Sequence, residues 1–306
     1  MKKDIKIFDL QEQFKSISDE VNKNVTKILK SGQYILGNNV HLFEEKFAKF
    51  LNSKFAISCN SGTDALLLSL RALNITKGDE VITTPFTYFA TAEVIALVGA
   101  KPIFVDINPH TYNLDHKKIE KLINRRTKAI MPVHIFGQSA KIIEIKKICR
   151  KHGLALIEDC AQSFGAKKND RYTGTFGDFG CYSFFPTKNL GCAGDGGMIV
   201  TNSASKMKVL KKLRNHGGIN RNIHDYIGYN SRLDEIQASI LLTKLKIINK
   251  INQRRNKISK LYKSLIDNQN IRLPYEDKNS YHVYNQFTIR VKKRNKFTKY
   301  LEDNSI

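Results

Sequence analysis

The chain has 306 residues, enough for a large core divided between one sizeable domain and a smaller one. Its 41% hydrophobic content is that of a globular protein, and no apolar run reaches the roughly 18 residues that a membrane helix requires. Lysine and arginine outnumber aspartate and glutamate by 51 to 28, for a formal net charge of +23, yet no zinc finger, RNP motif or aromatic–basic platform accompanies that charge.

The lysines are spread along the whole chain beside abundant Ile and Asn, so a biased composition accounts for the charge without a nucleic-acid or membrane partner. A basic surface would still attract small substrates that carry phosphate. The start MKKDIKIFDLQEQF lacks the apolar stretch of a secretory signal, so the expected location is the cytosol. The cysteines, Cys59, Cys149, Cys160, Cys181 and Cys192, show no C-x-x-C spacing and no histidine placed to complete a zinc site. They read as reduced, buried thiols, with no metal expected.

Short β-rich runs recur at FAISC (55–59), EVIT (80–83), PIFVD (102–106), AIMPV (129–133), ALIED (155–159), CYSFF (181–185) and GMIVT (197–201). Helical patterns fill most of the gaps. GTDALLLSLRAL places Leu66, Leu67, Leu70 and Leu73 on one side, and TAEVIALVG and AKIIEIKKICRKHG follow the same logic. Such alternation predicts an α/β fold with a mostly parallel, seven-stranded sheet covered on both faces, its ligand site where strands end and helices begin. Residues 232–265 read as one long helix bridging into a second domain. That domain adds one strand, NQFTIRV (285–291), and a last helix, NKFTKYLEDN. The expected division is a large domain over 1–240 and a partial small α+β domain over 241–306.

Three stretches carry chemistry. NSGTDAL (60–66) follows a strand and opens a helix, where free N–H groups and the positive dipole end attract anions; Ser61 or Thr63 could equally cap its own helix. IEDCAQ (157–162) ends an apolar strand in Glu158 and Asp159. A carboxylate there needs a cation, such as a protonated pyridine nitrogen, or else serves as a helix cap. SFFPTKNLGCAGDGG (183–197) sets Lys188 among Gly191, Gly194, Gly196 and Gly197, which would let the chain wrap closely around a ligand. Lys188 is either a solvated loop lysine or a desolvated amine able to form an imine with an aldehyde.

In one alternating domain and in this order, these stretches resemble fold type I pyridoxal-phosphate enzymes. In detail they resemble the DegT/StrS family of sugar-nucleotide aminotransferases. The resemblance runs from GQYILGNNVHLFEEKFAKFL to GYNSRLDEIQASIL and includes NSGTDAL, PFTYFATAEVIALVGAKPIFVDI, IEDCAQSFGA, GTFGDFGCYSFFPTKNLGCAGDGG and LRNHG.

The resemblance implies pyridoxal 5'-phosphate as cofactor, bound covalently by Lys188. It implies Asp159 as partner of the pyridine nitrogen, Gln162 bonded to the phenolic oxygen, and Tyr88 stacked on the ring. Gly62, Thr63 and Ser183 match phosphate-binding positions. Asn230 matches an asparagine that reaches the cofactor of a neighbouring subunit, which implies a homodimer. Glutamate would be the amino donor and a nucleotide-linked keto-sugar the acceptor. His134 and His216 match recurrent family histidines and are candidates for sugar contact, Arg232 for an interface contact, and Glu158 for a structural role. Nothing near Cys181 or Cys192 argues for a reactive thiol. Lysine rather than histidine at 188 argues against the branch of the family that acts as deoxysugar dehydrases. Family members usually continue past a point like Ile306, which implies a small domain short of part of its sheet and its closing helix. Two outcomes follow: an active aminotransferase of reduced stability, or a truncated, non-catalytic or regulatory relic.

Overall fold

A computed structural model describes residues 5, 8–218, 220 and 222–306. The N-terminal segment is helical: α1 (Leu10–Lys15), α2 (Ser18–Ser31) and α3 (Asn38–Leu51). The large sheet comprises β1 (Phe55–Cys59), β2 (Glu80–Thr83), β3 (Lys101–Phe104), β4 (Thr127–Ile130), β5 (Ala155–Asp159), β8 (Phe179–Ser183) and β9 (Gly197–Thr201), interleaved with helices α4 (Gly62–Ala72), α5 (Ala90–Leu97), α6 (Ile142–His152) and α7 (Ala204–Leu213). The two-residue strands β6 (Lys167–Lys168) and β7 (Arg171–Tyr172) pair with β11 (Ser280–Tyr281) in a small sheet, and β10 (Ile271–Arg272) pairs with β12 (Arg290–Val291). Helices α8 (Glu235–Leu245), α9 (Ile248–Leu265) and α10 (Arg294–Asp303) complete the fold. None of the helices is long and apolar enough to cross a membrane.

The large sheet has the order β1-β9-β8-β5-β4-β2-β3. Only β9 runs against its neighbours, pairing antiparallel with both β1 and β8. This is the seven-stranded, mostly parallel sheet the alternation predicts. Its strands alternate in side-chain direction, and both directions are buried. Ile57, Val81, Ile157 and Ile199 pack with Leu66, Val94 and Leu210 of α4, α5 and α7. The intervening Ala56, Met198 and Val200 pack with Phe43, Phe47 and Leu241 of α3 and α8, and Ile82, Ile130 and Leu156 with Ile142 and Ile145 of α6. Because both faces are covered, the place left for a ligand is at the strand ends. There the C-terminal ends of β5 and β8 and the start of α4 meet.

Predicted strand limits differ from the observed ones by no more than a few residues; the elements at 232–291 differ in substance. The 232–265 pattern is broken at Lys246–Ile247 into α8 and α9, although neither glycine nor proline stands there. Packing makes the break: Ile240 and Ile247 join Ile17 and Val21 of the N-terminal segment, and Lys246 donates to Glu20 Oε1 at 2.6 Å. The expected boundary at 240/241 therefore falls inside α8. NQFTIRV is a strand only at Arg290–Val291. The carbonyls of Tyr284 and Asn285 accept instead from the Arg255 guanidinium, and Tyr284 has φ +44°, so residues 284–288 leave the ladder and line a cavity.

One buried ion pair fastens α3 and the turn after α7 to β1. Arg214 Nη1 donates to Glu44 Oε1 and to the Ser58 carbonyl, while Glu44 Oε1 accepts from the Ser58 amide at 2.9 Å and hydroxyl at 2.8 Å. Glu44→Ala strands the guanidinium in the core and should lower folding stability by about 3–5 kcal/mol, whereas Glu12→Ala, at the exposed Lys15–Glu12 pair, should leave it nearly unchanged. Denaturant midpoints of the two variants check this.

Candidate active site

Gly62 opens α4 directly against Ser183 at the end of β8. A Cβ on residue 62 would lie 2.5 Å from the Ser183 Cβ, so only glycine allows the two chain segments to meet. Ser61 caps the helix, its Oγ accepting from the Asp64 amide at 3.0 Å. That leaves the Gly62 and Thr63 N–H groups without an intrahelical partner, beside the Ser183 hydroxyl, as an anion cradle. The cap and the anion site coexist: Ser61 performs one role, and Gly62, Thr63 and Ser183 are free for the other.

Asp159 ends β5, 4% exposed. Its Oδ1 accepts from the Ala161 amide at 3.1 Å and its Oδ2 from the Thr91 hydroxyl at 2.9 Å; Thr87 in turn bonds Thr91 at 2.8 Å. Burial pushes the carboxyl above the usual range, and these two donors, with Lys188, pull it back. A further cation facing it would favour the ionised form. Lys188 follows β8 on a turn closed by its own amide, which donates to the Phe185 carbonyl at 2.9 Å. Burial depresses its ammonium, and Asp159 acts in the opposite sense. Its Nζ has no hydrogen-bond partner among the described residues.

Gln162 is held by its carbonyl end: Oε1 accepts from the Phe136 amide at 2.7 Å. The amide nitrogen, a donor, is the end left to meet an anionic oxygen. Tyr88 is 76% exposed on the turn before α5, with its ring faces open. Asn230 is exposed on the strip that follows α7.

The two histidines separate. His134 is fully buried, with both ring nitrogens engaged: Nδ1 accepts from the Ala140 amide at 3.0 Å, so Nε2 carries the proton donated to Glu158 Oε2 at 3.0 Å. It cannot touch a sugar, and the expectation of substrate contact is corrected to an internal anchor of the loop that carries Phe136. Glu158 also accepts from the amides of Gly174, Phe176 and Gly177, which makes it structural. His134, Glu158 and Cys160 lie within metal-ligand spacing, but these bonds already occupy the imidazole and the carboxylate, and burial raises the Cys160 thiol well above the ordinary thiol value. His216 is exposed at φ +57°, with no ring partner among the described residues. Arg232 donates to Asn215 Oδ1 at 3.2 Å, within its own subunit.

The glycines after Lys188 also require correction. A Cβ at Gly191 would lie 2.4 Å from the Pro186 carbonyl oxygen, and one at Gly197 2.1 Å from that of Ser61. Gly191 and Gly197 thus pack against protein backbone, and Gly196 against the side chains of Leu233 and Phe184, rather than around a ligand.

Residues without a local signature complete the site. Thr91 is visible in sequence only as a hydroxyl on an apolar helix. Asn189, the neighbour of Lys188, donates to Asn252 Oδ1 at 2.8 Å and to the Val283 carbonyl at 3.2 Å, and accepts from Asn285 Nδ2 at 2.9 Å. These partners lie far apart in the chain, so no spacing rule finds them.

An anion cradle, a buried carboxylate, an amide donor and an unpartnered, desolvated amine converge on one sheet edge. The sequence pattern of the DegT/DnrJ/EryC1/StrS aminotransferase family matches residues 15–306. The chain belongs to this family. The aminotransferase is 44% identical over 290 residues to UDP-2-acetamido-2-deoxy-3-oxo-D-glucuronate aminotransferase of Pseudomonas aeruginosa, covering 95% of this chain and 81% of that one. It is 41% identical over 305 residues to a pleiotropic regulatory protein of Geobacillus stearothermophilus, covering 99% and 82%. Among solved structures, a family aminotransferase from Brucella abortus superposes with a TM-score of 0.96 at 37% identity, covering 99% of this chain and 83% of that one. A Bacillus subtilis protein, ntda, solved with bound cofactor PMP, superposes with a TM-score of 0.91 at 30% identity, covering 99% and 71%. The family is pyridoxal phosphate-dependent, and the residues present fit that cofactor: the Gly62–Ser183 cradle suits its phosphate, and the buried Asp159 suits its protonated ring nitrogen.

A depressed Lys188 pKa means a larger fraction of free amine at neutral pH than at an exposed lysine. In the cofactor-free protein, the rate at which Lys188 reacts with an aldehyde should reach half its maximum below pH 10.5, the ordinary lysine value. Asp159→Asn removes the charge that favours the ammonium and should move the midpoint lower still. Rate against pH in both proteins reads the two shifts.

Proposed function

We propose that this aminotransferase moves an amino group from an amino acid, L-glutamate, to a keto-sugar carried on a nucleotide, producing an aminosugar for a polysaccharide or an antibiotic. The observation that carries this reading is the Lys188 amine, desolvated and without a hydrogen-bond partner, on the sheet edge that holds Asp159 and the Gly62–Ser183 cradle.

When bound, pyridoxal phosphate supplies the electron sink that makes the donor's Cα proton removable. Gly62, Thr63 and Ser183 would take its phosphate, Tyr88 would cover a ring face, and the Gln162 amide would donate to its phenolic oxygen. Asp159, ordered by Thr91 and Ala161, would keep the ring nitrogen protonated. Lys188 would anchor the cofactor covalently, and its amine, when free, would be the base that takes the proton from the donor's Cα. Amino acid and sugar use the site in turn, a ping-pong order. Asn230, exposed and without a side-chain bond among the described residues, would complete the site of a second subunit in a homodimer.

The relative called a regulatory protein supports a second reading, a binding protein on the same fold. Against it, such a protein has no physical need for Lys188, Asp159, Gln162 and Tyr88 together. Incubation with L-glutamate and a panel of nucleotide-linked 3-keto and 4-keto sugars decides between them. The expected result is 2-oxoglutarate and an aminosugar nucleotide from at least one acceptor, with Lys188→Ala slower by roughly a thousandfold or more. A protein that holds the cofactor but yields no 2-oxoglutarate with any acceptor favours the second reading.

A further inference from the structure

A cavity of about 660 Å³ opens beside Lys188, walled in part by α9 and by residues 284–288. Three buried asparagines connect these parts: Asn189 on the lysine turn, Asn252 on α9 and Asn285 on the wall strip. Their side-chain amides form a chain with one direction. Asn285 Nδ2 donates to Asn189 Oδ1 at 2.9 Å, Asn189 Nδ2 to Asn252 Oδ1 at 2.8 Å, and Asn252 Nδ2 to the Phe164 carbonyl at 3.1 Å. Asn189 Nδ2 also donates to the Val283 carbonyl at 3.2 Å. Both ends of the Asn189 amide are engaged, so its orientation is fixed, and each bond in such a chain polarises the next. Gly165, at φ +87°, leaves the space the chain needs: a Cβ there would lie 2.5 Å from Asn252 Nδ2.

Lys188 has the opposite character. Its Nζ has no hydrogen-bond partner among the described residues, and a flexible stem separates it from the backbone. The reach of the amine is therefore set by where the backbone at 188 is held. The Lys188 amide closes its turn on the Phe185 carbonyl, and the adjoining Asn189 side chain ties that turn to α9. Through Asn252 the tie extends to Phe164, two residues beyond Gln162.

We infer that Asn189 is a positioning residue for Lys188: its amide, locked among Asn285, Val283 and Asn252, sets the place from which the lysine amine reaches the cofactor aldehyde. The inference rests on the reading of Lys188 as the covalent partner of the cofactor. In that step the neutral amine adds to the aldehyde carbon, a C=N bond replaces the C=O bond, and one water leaves. Misplacement of a reacting group by about 1 Å slows such a step by roughly a hundredfold. Because the amide is uncharged, loosening it moves the amine without altering the charges around it.

The test follows, across pH, the visible band that appears when pyridoxal phosphate is added to the cofactor-free protein. The parent is compared with Asn189→Ala, Asn252→Ser and Asn256→Ala. Asn256, also on α9, donates to the His282 carbonyl at 2.7 Å and takes no part in the amide chain. Asn189→Ala and Asn252→Ser should form the band at least about tenfold more slowly than the parent, with the pH of half-maximal rate unmoved, while Asn256→Ala keeps the parent's rate within about twofold. Should Asn189→Ala fail to fold, Asn252→Ser, which leaves residue 189 in place and removes the amide it donates to, decides alone. A smaller loss in the deciding variant, however far its denaturant midpoint falls, overturns the assignment and leaves the amide chain structural. So does an equal loss in Asn256→Ala, which marks a general loosening. A displaced pH midpoint also overturns it, because Asn189 would then act on the exposure of Lys188 and not on its place. A parent protein that develops no visible band overturns the functional reading itself, and this inference with it.

Discussion

The site depends on holding a negative charge at the end of a buried strand. A carboxylate in that position is unfavourable unless donors and cations surround it. Asp159 is met by the Ala161 amide, the Thr91 hydroxyl and the field of Lys188, yet its pKa still lies above the ordinary value. The protein alone does not fully satisfy this group. A cation arriving in the site would, and in the proposed reaction a protonated pyridine ring is such a cation. The neighbouring amine has the converse strain: burial lowers the Lys188 pKa, which enlarges its neutral, nucleophilic fraction relative to that of an exposed lysine.

The rest of the fold keeps these two groups in register. Glu158, one residue before Asp159, collects the amides of 174, 176 and 177 and the His134 ring, which fixes the end of β5 and the approach to β8. Asn189, one residue after Lys188, is bonded to α9 through Asn252 and to residues 283–285. The wall that carries Arg255 is thereby tied to the turn that carries the lysine. Gly137, at φ +104°, packs where a Cβ would lie 2.9 Å from the Asn285 amide nitrogen and 3.0 Å from that of Tyr284, and its carbonyl accepts from the Val283 amide at 3.0 Å, which joins the loop that holds Gln162 to the same cluster.

The sequence displays what depends on local pattern. Alternating strands and helices predict the sheet, and FAISC, EVIT, ALIED and GMIVT coincide with β1, β2, β5 and β9 residue for residue. The residues proposed to hold the cofactor are conspicuous because Gly62, Asp159, Gln162 and Lys188 stand at or just past strand ends and helix starts, in short motifs. What depends on distant partners is not legible. The burial of His134 follows from Glu158 and Ala140, the break between α8 and α9 from Ile17 and Val21, and the loss of strand at 285–289 from Arg255. In each case local propensity yields to a contact that no window of sequence contains. The glycines after Lys188 show the same limit, since their number was evident but the backbone they accommodate was not.

The central claim is that one lysine, Lys188, is the covalent partner of the cofactor. Its most direct test is to load the protein with pyridoxal phosphate, reduce it with borohydride, digest it and locate the label by mass. The account predicts a single phosphopyridoxyl group per chain, on the peptide that contains Lys188. A label scattered over surface lysines, which are abundant in a chain of charge +23, or no label at all, would contradict it.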